Sequence, residues 1–154
     1  MLVILISACK QDNDAEPKIR FSGISMMDIN AQPMSNKDST DWITGDVWKS
    51  QETGLFDNIS YQVNCATQHS NKIIVYPNPC NGIFQMLIDK LPTTRMELRI
   101  VDENFNKLLS IDTITNNSFT LDAKAGSLKD TVRVYYRFIE GNCEFRGHGD
   151  ILVQ

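Results

Sequence analysis

Between Ile73 and Val153 the chain is cut by turn-forming residues into seven short runs rich in β-favouring side chains, and this punctuation constrains the fold more than any other feature. The runs are Ile73–Tyr76, Ile83–Ile88, Met96–Val101, Leu108–Thr113, Ser118–Leu121, Thr131–Ile139 and Glu144–Val153. The breaks include Pro77-Asn78-Pro79, Asn81-Gly82, Leu91-Pro92-Thr93, Asn116-Asn117 and Gly141-Asn142. Several runs alternate. Met96, Leu98 and Ile100 face one way and Glu97 and Arg99 the other, while Val132, Val134, Tyr136 and Phe138 oppose Arg133, Tyr135 and Arg137. Half-buried strands at this spacing predict an all-β fold, an antiparallel immunoglobulin-like β-sandwich of about seven strands.

The first half is less regular. Asn36 to Asp41 is polar, after which Trp42, Val47, Trp48, Leu55 and Phe56 supply large apolar groups. Asp46 is placed to cap a short helix from Val47 to Thr53 that Gly54 would end. Two helical turns are not stable alone in water, so both tryptophans need a surface to pack on, and the sandwich is the candidate. Residues 18–70 are therefore expected to wrap the same core, which makes 18–154 one domain.

Leu2 to Ile6 form an apolar run followed by Ser7, Ala8 and Cys9, and Ile6-Ser7-Ala8-Cys9 resembles the lipobox of a bacterial lipoprotein signal. The resemblance implies cleavage before Cys9, diacylglycerol on its thiol, and acyl chains that hold the product on a bilayer at about 0.8 kcal/mol per buried methylene. Residues 1–9 are then the signal and 10–17 a solvated tether, with a basic region expected upstream of Met1. The acidic stretch after Cys9 also resembles the surface-export signal of lipoproteins in the Bacteroidota.

Residues 73–154 resemble the C-terminal sorting domain of the type IX secretion system, a β-sandwich found in the same bacteria. The residues that carry this are Ile74-Val75-Tyr76-Pro77-Asn78-Pro79, Asn81-Gly82-Ile83-Phe84 and Arg99-Ile100-Val101-Asp102. The chain departs from that pattern at Glu103-Asn104-Phe105, where a glycine is usual, and at its end, Leu152-Val153-Gln154, where a basic residue is common. Asp41-Trp42, Trp48, Glu52 and Leu55-Phe56, taken with Arg133–Phe138 and Gly147–Ile151, resemble small uncharacterised lipoproteins of these bacteria.

Charge and chemistry exclude several functions. With 15 basic and 19 acidic residues the net charge is -4, and there is no Lys/Arg cluster to hold a phosphate backbone, so no nucleic-acid partner is expected. A hydrophobic content of 42% with mean hydropathy -0.26 describes neither a disordered nor a membrane-spanning chain. No catalytic motif is present, and no cofactor or metal is expected. Cys65 with His69 and Cys143 with His148 are zinc-type ligands, but positions 143 and 148 differ in strand parity unless Gly147 bulges; His148 reads as solvated in a Gly-rich turn. Asn36, Asp38, Asp41 and Asp46 are calcium-type oxygens without EF-hand spacing, and read as caps or solvated side chains. Asp102, Glu103 and Asp150 show no sequence partner, and Tyr135 is the aromatic expected to be exposed for binding.

With Cys9 lipidated, three cysteines remain for one disulfide in an oxidising envelope. If the strands alternate up and down, Cys65 and Cys143 share one end of the sandwich and Cys80 the other, which favours Cys65–Cys143; one miscounted strand favours Cys80–Cys143 instead. The expected protein is a non-enzymatic, lipid-anchored outer-membrane or surface lipoprotein with an interaction or structural role, whose partner is an envelope protein or a glycan. The alternatives are a type IX sorting-like module, and then a small metal-binding protein or hydrolase.

Overall fold

Each of the seven runs forms a strand in the computed structural model, which describes residues 18–34, 36–57, 61–66 and 69–154. The expected signal, Cys9 and the tether lie outside the described residues. The strands are β3 (Lys72–Tyr76), β4 (Ile83–Asp89), β5 (Arg95–Val101), β6 (Lys107–Ile114), β7 (Ser118–Asp122), β8 (Asp130–Glu140) and β9 (Cys143–Val153). Two further two-residue strands come from the first half, β1 (Ile43–Thr44) and β2 (Gln62–Val63).

One sheet has the order β3-β4-β7; the other has the order β1-β9-β8-β5-β6, with β2 also paired to β9. All pairs are antiparallel except β2 with β9. The first, second and fifth strands of the sandwich thus face the third, fourth, sixth and seventh, the immunoglobulin-like partition with its fourth strand on the far sheet. The simple up-and-down order does not hold, because the chain crosses between sheets after β4, β6 and β7.

Alternation places the main core between the sheets. Val75, Phe84 and Met86 from the small sheet meet Met96, Leu98, Ile100, Val134, Tyr136, Phe138 and Ile151 from the large one, all buried. A second cluster lies on the opposite face of the large sheet, where Ile19, Trp48 and Phe56 of the first half cover Val101 and Tyr135. At about 1.5–3 kcal/mol per buried large apolar side chain, that cover stabilises the docked segment as well as the sheet.

The helix is shorter than the sequence predicts. It spans only Ser50–Thr53, with Lys49 at its N-cap and Gly54 at its C-cap. Asp46 does not cap it, because the amides of Gly45 and Asp46 both still donate to the Arg146 carbonyl and hold the backbone against β9. Val47 is 92% exposed and packs on nothing.

Candidate functional site

The outward residues of β5, β8 and β9 would face water in a bare sandwich, and here they meet the first half of the chain. Arg137 lies between Glu97 (2.7 Å) and Glu144 (3.1 Å), all three buried. Arg146 pairs with the other oxygen of Glu144 through Nε at 2.7 Å. Aromatic rings close over these cations: the Phe56 ring centre is 4.8 Å from the Arg99 guanidinium and 5.0 Å from that of Arg137, and the Trp48 ring is 5.2 Å from Arg146. Arg133 makes a two-point pair with Asp150, 2.7 Å at each contact, and faces Phe21 at 5.5 Å.

Three acidic residues of the first half complete the network. The buried Asp41 accepts the amides of Ser25 (2.8 Å) and Asp150 (3.2 Å). Burial pushes its carboxyl up to about 6 against those hydrogen bonds, with the charge of Asp150 adding to the rise. Asp46 meets His148 Nδ1; burial alone would lower that imidazole, but the Asp46 hydrogen bond and charge outweigh it and raise its pKa. Asp38 is a turn cap whose carboxylate accepts the Thr40 amide at 2.8 Å, which lowers its pKa.

Several sequence expectations change accordingly. Tyr135 is not an exposed binding aromatic: it is 1% exposed, because Trp48 and Phe105 pack on its ring, and its hydroxyl donates to Glu52 at 3.0 Å. His148 is not solvated in a turn but lies within β9, half-buried. Asp41 and Asp46 are pinned to β9 and are neither helix caps nor solvated, while Asp150 has Arg133 as its partner. The turn after β5 is closed by Asp102, which accepts the amides of Asn104 (2.8 Å) and Asn106 (2.9 Å), and Glu103 pairs with Lys18 at 3.1 Å.

Cys65 and Cys143 are joined in a disulfide with Cα atoms 6.1 Å apart, and Cys80 is a buried free thiol whose pKa burial raises. The pairing arises from β2, which runs beside the start of β9 with Gln62 opposite Cys143; Cys80 instead borders the other end, opposite Val153. β9 runs without a bulge at Gly147, so Cys143 and His148 point to opposite faces. His69 lies 3.5 Å from Asp89. Among the described residues no three His, Cys, Asp or Glu side chains converge as metal ligands.

Two cavities border the first half. A groove of about 570 Å³ lies between residues 25–44 and β3, lined by Met26, Met27, Trp42, Ile43, Ile73 and Val75 among others. A cleft of about 350 Å³ opens on the outer face of the large sheet between Lys18, Ile19, Arg20, Lys49, Gln51, Glu52, Phe105, Arg133 and Tyr135. No sequence signal singled out this cleft, because its walls come from four separate stretches of the chain. Comparison of the chain with protein-family models, with curated proteins and with solved structures gives no match.

Proposed function

We propose that the protein is a non-enzymatic, lipid-anchored protein of the bacterial cell envelope, attached through Cys9, whose sandwich binds a partner or serves a structural role. The observation that carries this reading is the Cys65–Cys143 disulfide. A structural disulfide belongs to an oxidising compartment, and this chain also bears the lipobox-like Ile6-Ser7-Ala8-Cys9. On the outer face, Arg133 is paired with Asp150, Arg137 with Glu97 and Glu144, and His148 with Asp46, so these charges hold the fold together.

The test is expression of the gene with its upstream region in a bacterium of the envelope type, followed by mass spectrometry and fractionation. Acylated Cys9, membrane association lost in Cys9→Ser, and a Cys65–Cys143 peptide in a non-reducing digest are expected. An unmodified Cys9 with unchanged membrane association overturns the anchor. A second reading, a type IX sorting-like module, has in its favour that all seven sandwich strands lie within 72–153, the stretch that carries the resemblance. Surface delivery that needs the type IX apparatus and is indifferent to Cys9→Ser selects it.

A further inference from the structure

We propose that the cleft between the N-terminal segment and the turn after β5 is a binding site for a carboxylated sugar, such as a uronic acid unit of an acidic glycan. The proposal goes beyond the envelope assignment and does not depend on lipidation of Cys9.

The charge is concentrated where the fold need not have put it. The first 70 residues carry 5 basic against 9 acidic side chains, yet Lys18, Arg20 and Lys49 all line this one cleft. Arg133 adds a fourth cation, and Glu52 is the one carboxylate of the lining. Glu52 is already engaged, by the Tyr135 hydroxyl at 3.0 Å and the Lys49 amide at 2.6 Å. Arg133 is neutralised by Asp150, and Lys18 pairs with Glu103 across an exposed contact of little energetic weight. Among the described residues, Arg20 and Lys49 are exposed and enter no ion pair, so their charge is uncompensated.

The floor supplies the second half of the recognition. Phe105 is half-buried, stacks on Tyr135 at 6.2 Å with planes 17° apart, and lines the cleft. Its φ is 60°, a left-handed conformation that a bulky side chain rarely adopts. The Asp102 carboxylate holds it there by accepting the Asn104 and Asn106 amides and the Asn106 side chain at 2.8 Å. A strained backbone that presents an aromatic ring to a cationic cleft is the kind of local cost that accumulates at binding sites. An apolar ring beside an array of cations suits a ligand with one C–H face and a negative group beside it, which describes a pyranose bearing a carboxylate. Inorganic phosphate has no C–H face and would leave the Phe105 ring without a contact. The volume, about 350 Å³, is at the small end for ligand sites and suits a short saccharide segment.

The test is calorimetric titration of the full, oxidised chain with oligogalacturonate, with a neutral galactose oligomer, with inorganic phosphate and with AMP. Oligogalacturonate is expected to bind about tenfold or more tighter than the neutral oligomer, and to weaken as salt rises. Arg20→Ala with Lys49→Ala should weaken it by about tenfold or more while leaving the melting temperature unchanged, since both residues are exposed. Phe105→Gly should also weaken it, and glycine accepts the backbone conformation, so the turn is kept. Equal binding of the neutral oligomer, or no saturable binding of oligogalacturonate, overturns the proposal. Phosphate or AMP binding as tightly, with Phe105→Gly without effect, assigns the cleft to a simple anion and overturns it too.

Discussion

Asn78 is fully buried, and its side chain has a partner at both ends: Nδ2 donates to the carbonyls of Ser25 (3.0 Å) and Asp150 (2.9 Å), and Oδ1 accepts the Leu152 amide (3.0 Å). Its backbone also exchanges hydrogen bonds with Met27 at 2.8 and 2.9 Å. One side chain in the Tyr-Pro-Asn-Pro turn therefore ties β9 to the N-terminal segment. Asn78→Ala leaves these groups unpaired in the interior, and chemical denaturation should show a loss of about 2–4 kcal/mol. The prolines around it were legible as a rigid turn; the clamp was not, because its partners are more than 50 residues away in sequence. His148 and Asp41 give a second residue-scale expectation. Both have folded pKa values above their ordinary ones, so each contributes stability that is complete below the unfolded value and lost as pH rises through the folded one. Melting temperature should therefore fall from about pH 4 to about pH 6 as Asp41 ionises, and fall further above the ordinary imidazole value of 6.5 as His148 loses its proton. In Asp46→Asn the imidazole keeps only burial and the Arg133 charge as its main opponents, so its NMR titration should move down and the upper part of the pH slope should flatten.

At the scale of elements, the Gly147-His148-Gly149 stretch of β9 explains how β1 reaches the sheet. A Cβ on Gly147 would stand 2.6 Å from the Tyr136 ring, and one on Gly149 2.6 Å from Trp42 Cε3. The two glycines leave room for Tyr136 and Trp42 to lie nearly parallel, 6.2 Å apart and 3° from coplanar, while the Tyr136 hydroxyl donates to the Ile43 carbonyl at 2.8 Å. Gly149→Ala forces Trp42 out, and with it the start of the first half; a loss of about 1–3 kcal/mol is expected, with faster amide exchange in residues 41–46 than in β4. The strands themselves were legible because Met96–Val101 and Thr131–Ile139 alternate on a period that only a sheet satisfies. The outward face was not. Alternation places its arginines opposite the core and says nothing of what covers them, since Phe21, Trp48 and Phe56 belong to a stretch without periodicity, and their arrival depends on tertiary packing alone.

At the scale of the whole molecule, β9 is a terminal strand whose open edge would invite pairing with another chain, and nearly all of it is occupied. β2 covers Cys143 and Glu144, the amides of Gly45 and Asp46 take the Arg146 carbonyl, β1 covers Gly147 and His148, and Asn78 and Cys80 close Asp150 to Gln154. The disulfide fixes the first of these covers. It joins residues 78 apart in sequence, and β2 itself has only two residues in the sheet, both exposed, so little else holds it there. For a loop of that length the chain-entropy account gives about 4.5 kcal/mol from restriction of the unfolded chain, with about 2–4 kcal/mol typical of disulfides. Cys65→Ser with Cys143→Ser should lose an amount in that range by equilibrium denaturation under oxidising conditions. Its second effect is local: the amides of Gln62 and Asn64, which donate to the carbonyls of Asn142 and Glu144, should lose exchange protection before those of β8 do. If stability falls while those amides stay protected, the bridge acts on the unfolded chain alone and β2 is held by its hydrogen bonds.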